Sequence, residues 1–140
     1  MRPLLLCLLL VSVLCAERWV LIGHPGLPAE GLDRETVRAI YLGRKRFLGD
    51  VPLVPLQLRA DEPIRRMFER EIIGLSRKQL RQWWMRQHYL GRRPPKVMGS
   101  PAAVTAFVEQ VEGAVGYLPF DALDGAADVI VLYEGDGELR

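Results

Sequence analysis

The chain has 140 residues, 49% hydrophobic and 26% charged, with 13 Gly, 10 Pro, 2 Cys, 2 His and a formal net charge of +2. That is the composition of one globular domain, too apolar for a disordered chain and without the roughly 18 uninterrupted apolar residues of a membrane-spanning helix. Neither the two His nor the two Cys are spaced as HxxxH or CxxC, which argues against a tetrahedral zinc site of about four ligands.

The first element is the N-terminal segment. Met1, Arg2 and Pro3 lead into an apolar run over 4–11, followed by Ser12, Val13, Leu14, Cys15 and Ala16. This reads as a secretory signal peptide over 1–16, cut after Ala16 or alternatively after Cys15. Lipidation of Cys15 is disfavoured because Leu14 is not small. The mature chain is then periplasmic or secreted, and both cysteines leave with the peptide. Its charge is bipolar along the sequence. Residues 44–96 carry fourteen basic and five acidic side chains, and residues 97–140 carry one and eight. Export argues against nucleic acid as the partner of the basic stretch, which is read as the solvated faces of amphipathic helices.

The remaining elements alternate between short strands and helices. Residues 18–22 form an apolar strand, and a loop of two Pro and two Gly runs from His24 to Gly31. Asp33 caps a helix whose Val37, Ile40 and Tyr41 share one face, and Leu32 is placed to staple onto Val37. Gly43 ends that helix, and the basic turn Arg44, Lys45, Arg46 follows. Residues 51–58 read as a strand whose prolines in the first half mark an edge or an irregular start.

A second helix starts near Asp61 or Glu62, has Pro63 in its first turn, buries Ile64, Met67, Phe68 and Ile72, and stops at Gly74. Ser76 and Gln79 form a capping box for a third helix, with Leu80, Trp83 and Trp84 inward and Arg77, Arg81 and Arg86 in water. Pro94 and Pro95 precede a strand over 96–98. Ser100 and Pro101 open a fourth helix that buries Val104, Phe107, Val108 and Val111, and Gly113 closes it. A strand over 115–118, a helical turn over 119–123 and a strand over 129–133 complete the domain, assigned to 17–134, and 135–140 is a polar tail. Strands separated by helical patterns indicate an α/β sandwich with a mostly parallel sheet flanked by helices.

The order of these pieces resembles the phosphate-binding protein family of ABC importers. The matching stretches are Val20 to Gly23 with Pro25, Leu32 to Gly43, Val51 to Leu58, Phe68 to Gly74, Trp83 with Trp84, Gly91 with Pro94 and Pro95, and Gly113 to Tyr117. The resemblance implies a type 2 periplasmic-binding fold, normally two lobes closing on a ligand. The length leaves room for a single periplasmic-binding-protein-like lobe, similar to the second of the two. A single lobe offers half a cleft, so tight capture of a small anion requires completion by a partner or a second copy as a homodimer.

The resemblance also supplies an anion-binding segment, Arg-x-Asp followed by a Gly-Ser-Gly-Thr turn at a helix N-terminus. Arg59-Ala60-Asp61 matches the first half. Glu62-Pro63-Ile64 lacks the hydroxyls of the second half, adds a negative charge and removes an amide, which weakens phosphate binding through a helix dipole. A local ion pair and an Asp helix cap account for Arg59 and Asp61 structurally. His24, in the loop after the first strand, and Ser100, at the head of the fourth helix, complete the candidate ligand-binding set of His24, Arg59, Asp61 and Ser100. The basic turn 44–46 and the pair Arg92, Arg93 are candidate docking cations for an acidic partner or lipid head groups.

No nucleophile elbow, phosphate loop or HExxH motif is present, so the expectation is a non-enzyme with no cofactor and no metal. The leading function is an exported, phosphate-type anion-binding component of an ABC import system. The alternative is a periplasmic sensor or accessory module that docks on a membrane protein and no longer binds phosphate.

Overall fold

The computed structural model describes residues 18–135. The expected signal peptide and residues 136–140 of the expected tail lie outside them. Seven strands and four α-helices follow in the order β1 (Trp19–Gly23), α1 (Arg34–Tyr41), β2 (Phe47–Leu48), β3 (Val51–Pro52), β4 (Val54–Leu58), α2 (Pro63–Phe68), α3 (Arg77–His88), β5 (Lys96–Met98), α4 (Pro101–Gln110), β6 (Ala114–Pro119) and β7 (Ile130–Gly135). Five strands form one sheet in the order β5-β4-β6-β1-β7. β4 is parallel to β5 and β6, whereas β1 is antiparallel to both β6 and β7. Four strands therefore run one way and β1 runs against them, so the sheet is mostly parallel with one reversed strand inside it.

All five residues of β1 are buried, as expected for a strand covered on both faces. The prolines behave as the sequence suggests. The strand expected over 51–58 breaks at Leu53 into β3 and β4, and β3 pairs with β2 in a small hairpin that no sequence signal singled out. β4 pairs with β6 from Val54, but β5 joins only from Leu56. The Pro55 half of the strand thus lacks a neighbour on one side, where a missing N–H costs least.

The second helix changes pitch. After α2, residues Glu69–Ile73 form a π-helical turn, and Gly74 closes it in the left-handed region at φ 68°. The wider turn lets both Ile72 and Ile73 face the core. The expected capping box of α3 is present, with Ser76 Oγ accepting from the Gln79 amide at 3.1 Å and Gln79 Oε1 accepting from the Ser76 amide at 2.9 Å. Ser76→Ala should cost about 1 kcal/mol, read as a small drop in the urea midpoint with unchanged slope. The inward face of α3 is only half-buried: Leu80, Trp83 and Trp84 are intermediate, and Gln87 is the one buried residue of the helix. Trp83 still anchors it, its Nε1 donating to the Leu42 carbonyl at 3.0 Å.

The core is aromatic at its centre. Phe68 stacks on Tyr117 with ring centroids 4.1 Å apart and meets Tyr41 and Trp19 edge-on at 4.6 and 5.2 Å. Tyr41 donates its hydroxyl to the Leu56 carbonyl at 2.8 Å, and Tyr117 Oη accepts from the Leu58 amide at 3.2 Å. Burial pushes both phenols well above their usual range. The Tyr41 hydroxyl fixes β4, the strand that delivers Arg59, to α1, and the Tyr117 hydroxyl fixes it to the neighbouring strand β6.

Candidate functional site

Sheet direction decides which candidates meet. β4 and β5 are parallel with Leu58 opposite Met98, so Arg59 and Gly99 leave the sheet side by side at its carboxyl edge. Ser100 and the start of α4 follow Gly99 at this same edge. His24 follows β1, which runs the other way. Its amide donates to the Ala114 carbonyl at 3.0 Å, at the beginning of β6. The expected cluster of four is therefore corrected: Arg59, Asp61 and Ser100 share one edge, and His24 lies at the opposite edge because its strand is reversed. There its Nδ1 accepts from the Gly26 amide at 3.0 Å, a local loop bond.

At the carboxyl edge Arg59 and Asp61 form a two-point ion pair, Nε to Oδ1 at 3.2 Å and Nη2 to Oδ2 at 2.7 Å, with both side chains more than half exposed. The hydrogen bond from Arg59, helped by its charge, holds the Asp61 carboxyl below its ordinary range, and the same bond raises Arg59. The expected Asp61 cap does not form. Glu62 is the N-cap of α2, makes no side-chain cap bond, and its carbonyl accepts from both the Arg65 and Arg66 amides. Ser100 caps α4, its Oγ accepting from the Ala103 amide at 3.1 Å.

Three further groups belong to this edge through tertiary contact. Arg65 Nη1 donates to the Leu58 carbonyl at 3.0 Å and Nε to Glu69 Oε1 at 2.9 Å, while Arg77 Nη2 donates to the Ala60 carbonyl at 2.6 Å. Together with Arg81, Gln57 and Trp84 they line a cavity of about 400 Å³ beneath Ala60. Nothing in the sequence pointed to Arg65 or Arg77 in particular, because each is one of many helix-face cations until β4 is set beside α2 and α3. Among the described residues no group of three His, Cys, Asp or Glu is placed to hold a metal ion.

The two depressed carboxyls, Asp33 and Asp61, give a pH prediction. Hydrogen bonds from Thr36 hold Asp33 below its ordinary range, as Arg59 does for Asp61. A group lowered on folding stabilises the fold above its unfolded pKa, and that stabilisation disappears as pH falls through its folded value. Carboxyl NMR titration should place both midpoints below those of Asp in an unfolded peptide. Arg59→Ala should return Asp61, but not Asp33, towards the ordinary value.

No protein-family model matches the sequence, and no curated protein sequence does. Solved structures do match in fold. What the architecture defines is a single periplasmic-binding-protein-like α/β lobe. Three solved structures that share it are of proteins described in connection with phosphate transport. A protein from Clostridium perfringens described as a phosphate ABC transporter substrate-binding protein, solved with bound phosphate, superposes with a TM-score of 0.65 at 20% identity over 84% of this chain and 45% of its own. An ABC-type phosphate transport receptor from Vibrio cholerae gives 0.64 at 17% identity over 84% and 47%. PstS from Borrelia burgdorferi gives 0.65 at 11% identity over 83% and 46%. The chain thus spans about half the length of the structures it matches.

Proposed function

We propose that this chain is an exported, non-enzymatic anion-binding lobe of a phosphate-type ABC import system, with Arg59 and the start of α4 as its anion contacts. The observation that carries the reading is the placement of the Arg59-Ala60-Asp61 turn and the N-terminus of α4 at the same carboxyl edge of the sheet, in a fold shared with phosphate transport proteins. Ligands of open α/β sheets sit outside the carboxyl ends of the strands. Half a cleft leaves much of a small anion in water, so an importer subunit or a second copy completes the site. His24 is no part of it.

One observation favours the alternative, a sensor or accessory module. Arg59 is already held by Asp61, and the first turn of α2 offers Glu62 and Pro63 where a phosphate needs amides.

Calorimetry with phosphate and with sulfate at low salt decides between them. The first reading expects weak but saturable binding, on the order of millimolar, at least tenfold weaker in Arg59→Ala. Heat that is absent, or equal in the wild type and Arg59→Ala, favours the docking module and removes this edge as a binding site.

A further inference from the structure

From Ile72 to Val108 the sequence contains no Asp or Glu, yet it carries Arg77, Lys78, Arg81, Arg86, Arg92, Arg93 and Lys96. The fold brings the end of this stretch against the other basic turn. Lys45 and Arg46 from the loop after α1 and Arg92 and Arg93 from the loop after α3 line one cavity of about 250 Å³, floored by Ile40, Leu53, Pro55 and Trp84. No carboxylate lines it. Four other arginines have acidic partners: Arg18 has Glu134, Arg59 has Asp61, and Arg65 and Arg77 have Glu69. Among the described residues, none of the four cavity cations forms an ion pair. Arg92 is instead held by a neutral group, its Nη1 donating to Gln87 Oε1 at 3.0 Å.

The chain segment that leads into the cavity wall exposes apolar side chains to water. Tyr89 is 85% exposed, Leu90 66% and Met85 65%, and Leu90 directly precedes Gly91 in the cavity wall. Single exposed apolar residues are ordinary, but here three fall within six positions that run directly into Gly91, Arg92 and Arg93 in the wall of a cavity lined by four cations and no carboxylate. An aromatic ring and aliphatic side chains beside clustered Lys and Arg form the arrangement that seats a protein on an anionic bilayer. The apolar tips enter the headgroup boundary and the cations meet the phosphates. A soluble anion would use the cations and leave Met85, Tyr89 and Leu90 without a role.

We propose that this corner of the lobe, from the C-terminal end of α3 through Arg93 together with Lys45 and Arg46, is a docking surface for an anionic phospholipid membrane. None of its residues is Arg59, Asp61 or Ser100, so the surface stands or falls separately from the anion site.

The test is co-sedimentation of the full chain with vesicles of phosphatidylcholine alone and with 30 mol% phosphatidylglycerol, at low and physiological salt. Neutral vesicles report any contribution of the apolar N-terminal residues, which is common to all variants. The expected result is preferential binding to the anionic vesicles that weakens with salt. The variant K45Q/R46Q/R92Q/R93Q should lose about a hundredfold or more in partitioning, at roughly fivefold per cation. Tyr89→Ser, at a side chain too exposed to affect folding, should lose several-fold with its melting curve unchanged. Equal binding to both vesicle types, an unchanged quadruple variant, or full displacement by soluble glycerol phosphate at matched ionic strength would overturn the proposal.

Discussion

Gly113→Ala should be among the most damaging single-methyl changes in this protein, costing about 3–5 kcal/mol. Gly113 joins α4 to β6 at φ 82°, in the left-handed region, and a Cβ there would overlap the Pro52 carbonyl oxygen. The residue also accepts from the Val54 amide at 2.9 Å, the bond that starts the β4–β6 ladder. An Ala pays the conformational strain and must also push the β2–β3 hairpin away from the sheet. Urea denaturation should show the loss as a lower midpoint. A change under about 1 kcal/mol would mean that the hairpin moves aside freely and that Pro52 is not a fixed wall.

Phe68→Ala should cost a similar amount, about 3–5 kcal/mol, for a different reason. Phe68 is 2% exposed, packed face to face on Tyr117 and edge-on against Tyr41 and Trp19. Truncation leaves a cavity bounded by three large rings that belong to α1, β1 and β6 and cannot collapse together. A drop of roughly 10–25 °C in melting temperature follows for a domain of this size. Phe68→Leu, which keeps most of the volume, should recover more than half of the loss. If Ala and Leu were equally damaging, the aromatic geometry rather than the filled volume would be what matters at this position.

The two effects also bear on function. Tyr117 lies under Phe68 and accepts the amide of Leu58, one residue before Arg59. Loss of the ring should therefore loosen the turn that presents Arg59, and any anion affinity measured for the wild type should fall in Phe68→Ala even under conditions where the variant remains folded.

Much of the fold was legible in the chain because it was written in short-range physics. Asp33, Ser76 and Ser100 cap the helices they were expected to cap, and Gly43, Gly74 and Gly113 end elements with positive φ. The apolar period of α1 places its core face, the continuous apolar runs of β1 and β6 mark strands buried on both sides, and the prolines of 51–58 mark the part of β4 that lacks a neighbour. The π-helical turn was not legible, since 64, 68 and 72 read as an ordinary helical face and only packing draws Ile73 in as well. The half-buried state of Trp83 and Trp84 was hidden for the same reason: periodicity says which way a side chain faces, not how much lies above it.

The sequence by itself determined the α/β class, most element boundaries, the segregation of charge and the Arg59-Ala60-Asp61 turn, because each depends on residues within about one helical turn or on composition. Only the tertiary structure decided that β1 runs against its neighbours, which puts His24 at the opposite edge of the sheet from Arg59 and Ser100. It also put Arg65 and Arg77 beneath Ala60, and gathered Lys45, Arg46, Arg92 and Arg93 around one cavity. Strand direction and the meeting of loops nearly fifty residues apart are set by the pairing and packing of whole elements, and no local spacing encodes that.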